Sequence, residues 1–171
     1  MPIETRMIGI DPGWSGGMAL LDGDGVLMAS DPMPATEKDI WLLIYKYKNM
    51  DDLPGCNRFY RTVAALELVS GYVGDRGNPG SAMFKFGTNY GALRMALCGL
   101  QIPYRTIHPA TWQRGVGVNP IKGESKPDRK RRLKARAQEI FPSDQVTLKN
   151  ADALLLAEYG RTKGLFISPE K

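Results

Sequence analysis

Two stretches far apart in this chain share one pattern. Residues 7–21 read MIGIDPGWSGGMALL and residues 62–68 read TVAALEL. Each is apolar enough to be buried in a sheet, and each carries a single carboxylate near the end of its strand, Asp11 and Glu67. A continuous apolar run, rather than an alternating one, belongs to a sheet covered on both faces. An unpaired carboxylate in that setting costs several kcal/mol. The chain must therefore fold so that these charges find a partner.

The remaining elements follow from period and punctuation. Arg6 to Ile10 reads as a strand ended by Pro12-Gly13, and Gly17 to Leu21 as a second. Asp22-Gly23-Asp24-Gly25 marks a hairpin into a third strand, Val26 to Ser30. Thr36 to Asn49 has helix-spaced Ile40, Leu43, Ile44 and Tyr47, with Thr36 as N-cap. A Gly-rich loop over 71–80 follows the strand at 62–68. A long helix from Ser81, its expected cap, to Leu100 comes next. Pro103 to Ile107 is a short strand, Pro109 starts a helix, and Pro127 to Ile140 is a basic helix stopped by Phe141-Pro142. Ala151 to Lys163 forms the last helix, with Asp152 in its first turn. Three antiparallel strands followed by strands that return through helices predict an α/β fold: a mixed five-stranded sheet with helices on both faces.

At 171 residues the chain is expected to form a single domain spanning 1–171. Charges interrupt every apolar run before it reaches membrane-spanning length. MPIETRM has neither the basic start nor the apolar core of a signal peptide, so a cytoplasmic protein with reduced Cys56 and Cys98 is expected. The net charge is only +5, but residues 122–136 hold eight lysines and arginines against Glu124 and Asp128, leaving the rest close to neutral. A basic segment on a near-neutral body suits a polyanion. Not all of its charges can face one groove from a single helix.

Asp11, Glu67 and Asp152 belong together in this element order. The first two end neighbouring strands, and the third opens a helix able to cross those strand ends. Three desolvated carboxylates repel one another, and a divalent cation resolves the conflict. Mg2+ or Mn2+ suits oxygen donors, and two such ions about 4 Å apart can activate water against a phosphodiester.

IGIDPGWSGGMALLD resembles the opening strand of the RuvC-type Holliday-junction resolvases, and ALELV resembles their second acidic strand. NPGSAMFKFGTNYGALRMAL, IPYRTIHPATWQR and NADALLLAEYG resemble, in order, their loop and long helix, their Pro-x-x-Trp turn, and their final helix. The phage and chloroplast branch is the nearest in flavour. The resemblance implies a ribonuclease-H-like fold, a homodimer, and metal-dependent nicking of opposed strands in a four-way junction, inside a bacterial or phage-infected cell. It implies Asp11, Glu67 and Asp152 as metal ligands, with two Mg2+ or Mn2+ ions per site. It also implies a catalytic lysine on the basic segment, for which Lys126 is the choice over Lys130. Lys122, Lys126, Arg129, Lys130, Arg132 and Lys149 are expected at DNA, with Tyr72 and Arg76 touching bases at the crossover. The family's fourth ligand, an Asp or His shortly before the last acid, is replaced by Leu148 and Lys149. His108 is expected to be structural and Trp112 a core residue with its indole N–H satisfied.

Other readings share these residues. GIDPGWSGG also resembles the phosphate-binding turn of actin-like and sugar-kinase-like ATPases, but that class needs two such domains. A nuclease for other branched DNA or RNA, and a catalytically weak branched-DNA-binding module, stay open, because a fold does not choose its substrate.

Overall fold

The first strand lies at the middle of the sheet, and its neighbours explain why it is apolar throughout. The computed structural model describes residues 4–50, 60–69 and 80–165. Its strands are β1 (Glu4–Asp11), β2 (Gly17–Leu21), β3 (Leu27–Pro32), β4 (Tyr60–Glu67) and β5 (Tyr104–Ile107). They lie side by side in the order β3-β2-β1-β4-β5. β2 runs antiparallel to β1 and to β3, whereas β4 runs parallel to β1 and β5 parallel to β4. The expected mixed five-stranded sheet is therefore present.

Among the described residues five helices cover it: α1 (Glu37–Lys48), α2 (Gly80–Gly99), α3 (Pro109–Gly115), α4 (Lys126–Ile140) and α5 (Ala151–Thr162). Side chains alternate along each strand, which divides the core in two. Ile8, Ile10, Met18, Leu20, Ala64 and Leu66 pack with Ile40, Ile44 and Tyr47 of α1 and Leu93 and Leu97 of α2. Met7, Ala19, Leu21, Val63 and Ala65 pack with Trp112 of α3, Leu133 and Ala137 of α4, and the inner residues of α5. With both faces covered, a strand has no polar side to show.

Local chemistry sets the element ends. Thr36 caps α1 by accepting from the Asp39 N–H at 3.2 Å, as expected. Asp22 shapes the hairpin, its Oδ1 accepting from the N–H groups of Asp24 and Val26 at 3.0 and 2.8 Å. Two expectations are corrected. Ser81 lies inside α2 rather than capping it. α4 begins at Lys126, because Ser125 accepts from the Asp128 N–H at 3.2 Å and so acts as its cap. The Gly-rich loop and Cys56 lie outside the described residues, whereas Cys98 is a free thiol on the surface. Among the described residues no helix is long and apolar enough to cross a membrane.

One close approach positions everything that follows. α5 lies with its backbone directly on β1 at Gly9: a Cβ there would stand 2.0 Å from the Ala153 carbonyl oxygen and 2.5 Å from the Ala157 nitrogen. Those obstacles are backbone atoms and cannot turn aside. Gly9→Ala should thus unseat α5 and cost about 3 kcal/mol or more. Urea unfolding of the purified variant checks this, and unchanged stability would mean that α5 is not seated on β1.

Candidate active site

Asp11 is the last residue of β1, and Glu67 is the last residue of the parallel neighbour β4. Their strands are in register through Ile10 and Leu66, so the two carboxylates leave the same end of the sheet side by side. Asp152 sits one residue before Ala153, whose carbonyl touches Gly9. The seat of α5 on β1 thus carries Asp152 to the end of β1 where Asp11 emerges.

Each carboxylate is held differently. Asp11 is 8% exposed and wrapped by the turn that follows it. The Gly13 N–H donates to its Oδ1 at 3.1 Å. Gly16 closes the turn so tightly that a Cβ there would stand 2.6 Å from the Asp11 Cγ. Buried Asn89 of α2 pins the same turn by donating to the Pro12 carbonyl at 3.0 Å. Glu67 accepts from the indole N–H of Trp112 at 2.9 Å. Asp152 is 6% exposed, and its Oδ1 is buried without a hydrogen-bond partner among the described residues.

Lys130 of α4 is the counter-charge. Its ammonium donates to Asp152 Oδ2 and lies 3.6 Å from Asp11 Oδ2. Burial pulls the Lys130 pKa down, but Asp152, Asp11 and Glu67 outweigh it and hold the group above the ordinary lysine value. Burial raises the Asp152 carboxyl; Lys130 opposes this, Asp11 adds to it, and Arg129 opposes it in turn. Glu67 is pushed up from 4.5 to about 7, first by burial and then by the charge on Asp11. The Trp112 hydrogen bond works against that rise, Asp152 adds to it, and Lys130 lowers it.

The expected site residues divide into groups. Asp11, Glu67, Asp152 and Lys130 converge. Lys126 does not join them: it is the exposed first residue of α4, and the lysine that lies beside the acids is Lys130. Lys122 and Arg129 are exposed, and Arg129 is near enough to Asp152 to act on its titration. Arg132 serves the fold, since its guanidinium grips both Glu124 oxygens, at 2.6 and 2.9 Å, and the Asn119 carbonyl at 2.9 Å. Lys149 and Leu148 are exposed in the turn before α5 and bring no acid there. Tyr72 and Arg76 lie outside the described residues. His108 caps α3, its Nδ1 accepting from the Ala110 N–H at 3.2 Å, which is a structural role.

Sequence reading places Trp112 in the core but misses its acceptor, and it misses Asn89 altogether. A signal for Lys130 does exist: it lies three residues before Leu133, the buried anchor of α4, and so shares its inner face. Among the described residues, no group of three or more His, Cys, Asp or Glu side chains is arranged as a ready metal cage. The donor chemistry nonetheless suits a hard divalent cation. All three acids offer oxygen, and the buried Asp152 Oδ1 still lacks a partner among the described residues.

Crowding these acids has a measurable consequence. The folded-state pKa of Glu67 lies above its unfolded value, so ionisation opposes folding. Stability should fall as pH rises from about 4.5 to about 7. With metal chelated, Glu67→Gln should be more stable than the unaltered chain at pH 8, by on the order of 2 kcal/mol, and no more stable at pH 4. Thermal melts of both proteins at the two pH values check this. Equal stability at both would show that Glu67 is not strained.

No protein-family model matches the sequence, and no curated protein sequence matches it. Solved structures do. Thermus thermophilus RuvC in complex with a Holliday junction substrate superposes with a TM-score of 0.59 at 14% identity, over 94% of this chain and 96% of that one. A second Thermus thermophilus RuvC structure gives 0.57 at 14% identity, over 93% and 96%. In its fold, from the first strand to the last helix, this chain is RuvC-like.

Proposed function

We propose that this chain is a structure-selective DNA endonuclease that resolves four-way junctions by metal-dependent hydrolysis of phosphodiesters, leaving paired symmetric nicks. The observation that carries the reading is the convergence of Asp11, Glu67 and Asp152 at one end of the sheet, beside a basic helix. That the RuvC with this fold was solved on a Holliday junction supports the choice of substrate.

The residues would share the work as follows. Asp11, Glu67 and Asp152 would hold Mg2+ or Mn2+. Such a cation, when bound, would lower the pKa of the attacking water and neutralise charge on the phosphodiester. Trp112 fixes the Glu67 carboxylate through Oε2. The Asn89-anchored turn fixes Asp11. Lys126, Arg129, Lys122 and Lys149 are exposed and able to meet the phosphate backbone, whereas Arg132 is engaged by Glu124. DNA recombination or repair is the process such chemistry serves.

A four-way junction has two-fold symmetry, and a homodimer would set one site against each of two opposed strands. The outer surfaces of α1 and α2 are the place for a second copy. There Phe84 is 76% and Met95 69% exposed, on the side of the sheet that also carries the exposed, stacked rings of Trp41 and Tyr45.

One observation favours a second reading, a branched-DNA binder that cuts weakly or not at all: no ready three-ligand cage stands among the described residues. A gel assay with four-way, flap and linear DNA in Mg2+ or Mn2+ separates the two. Symmetric paired nicks confined to the junction are expected. Asp11→Asn should abolish them while junction binding persists. Binding without cleavage by the unaltered chain would favour the second reading, and equal cutting of linear DNA would sink the first.

The basic helix makes its own prediction. Lys126→Glu with Arg129→Glu should weaken junction binding and flatten its salt dependence, by up to about 0.9 in the log–log slope for each phosphate left without its cationic partner. Fluorescence anisotropy across a salt series measures this. An unchanged slope would mean that α4 does not touch the DNA backbone.

A further inference from the structure

The acid cluster already contains one cation, and its charge limits how many more it can accept. Lys130 is not a surface lysine that happens to reach inward. Leu133 and Ala137, three and seven residues later, are buried against the sheet and fix the rotation of α4. The Ser125 cap and the Arg132–Glu124 pair fix its first turns. The Lys130 ammonium therefore arrives between the end of β1 and the start of α5, against Asp11 and Asp152 together.

With all three acids ionised, as metal binding requires, three carboxylates and one ammonium leave two negative charges. One divalent cation cancels them. Two would leave an excess of two positive charges among largely buried groups, which is costly. The two positions just before α5 where a further acid is expected hold Leu148 and Lys149, and Asp144, the acid of the α4–α5 connection, lies eight residues before Asp152. Donors stay open within the cluster: Trp112 takes only Oε2 of Glu67, and Asp152 Oδ1 has no partner among the described residues.

Resting on the metal-dependent reading above, we infer that Lys130 supplies the positive charge at the Asp11–Asp152 pair that a second ion would otherwise bring, so that the site takes a single divalent cation. This replaces the two-ion expectation with one ion and one lysine. Lys130 is then a fixed part of the site, and the basic residues that meet DNA are its exposed neighbours.

Metal counting tests this without reference to cleavage. Titration calorimetry with Mn2+ on the full chain should give one ion per chain. Lys130→Met, of similar length but uncharged, should bind a second ion, or bind the first about tenfold tighter, the size of effect one neighbouring charge has on a carboxylate's proton. Asp11→Asn should lose the Mn2+ site. Two ions on the unaltered chain would overturn the inference while leaving the metal reading intact. So would a Lys130→Met protein with unchanged count and affinity. No Mn2+ bound by either protein, or binding untouched by Asp11→Asn, would overturn the metal reading and this inference with it. Should Lys130→Met fail to fold, the count on the unaltered chain still decides, and Lys130→Arg, which keeps the charge, should preserve it.

Discussion

The arrangement of this molecule depends on one close approach, the backbone of α5 lying on β1 at Gly9. A helix that near a strand requires small residues on both sides, and Ala153, Ala157 and Gly160 provide them on α5. The consequence is positional. A helix start seated there cannot deliver its first-turn side chain anywhere except the end of β1. Asp152 meets Asp11 because the chain has no side chains large enough to keep the two elements apart.

The meeting opposes folding. Buried acids raise one another's pKa, as Glu67 and Asp152 both show, and the elements that bring them together must supply the stability they lose. The two halves of the core, one on each face of the sheet, do so through ordinary apolar packing. Lys130 and Trp112 reduce the conflict, one with a full charge and one with a hydrogen bond. A group of residues that costs stability, yet is reached by two strands and three helices, is better understood as a binding site than as part of the scaffold.

Much of this is legible in the sequence, and the reason is physical. Strands covered on both faces have an unmistakable composition, so β2 reads with its observed bounds, and a carboxylate closing such a strand stands out against it. Asp11, Glu67 and Asp152 are visible because each breaks an apolar context. Lys130 and Trp112 are harder. Choosing between Lys126 and Lys130 depends on how far α4 reaches past its anchor Leu133 and on where its first turn meets solvent, both of which are tertiary facts. Trp112 satisfies the apolar pattern by itself, and nothing local says that its N–H points at Glu67. Ser81 misleads because a serine near a helix start resembles a cap whether or not it is one. The expected base-touching pair, Tyr72 and Arg76, lies outside the described residues.

Polarity is divided between the two faces of the sheet. The acids and the exposed charges of α4 belong to the side of the sheet covered by α3, α4 and α5, while the exposed aromatic and apolar residues of α1 and α2 lie on the other. A nuclease acting alone on linear DNA needs only the first surface. On the proposed function, cutting two opposed strands needs a second site held at a set distance, and an apolar face on the other side of the sheet from the basic helix would let two copies associate with both acid clusters open to DNA.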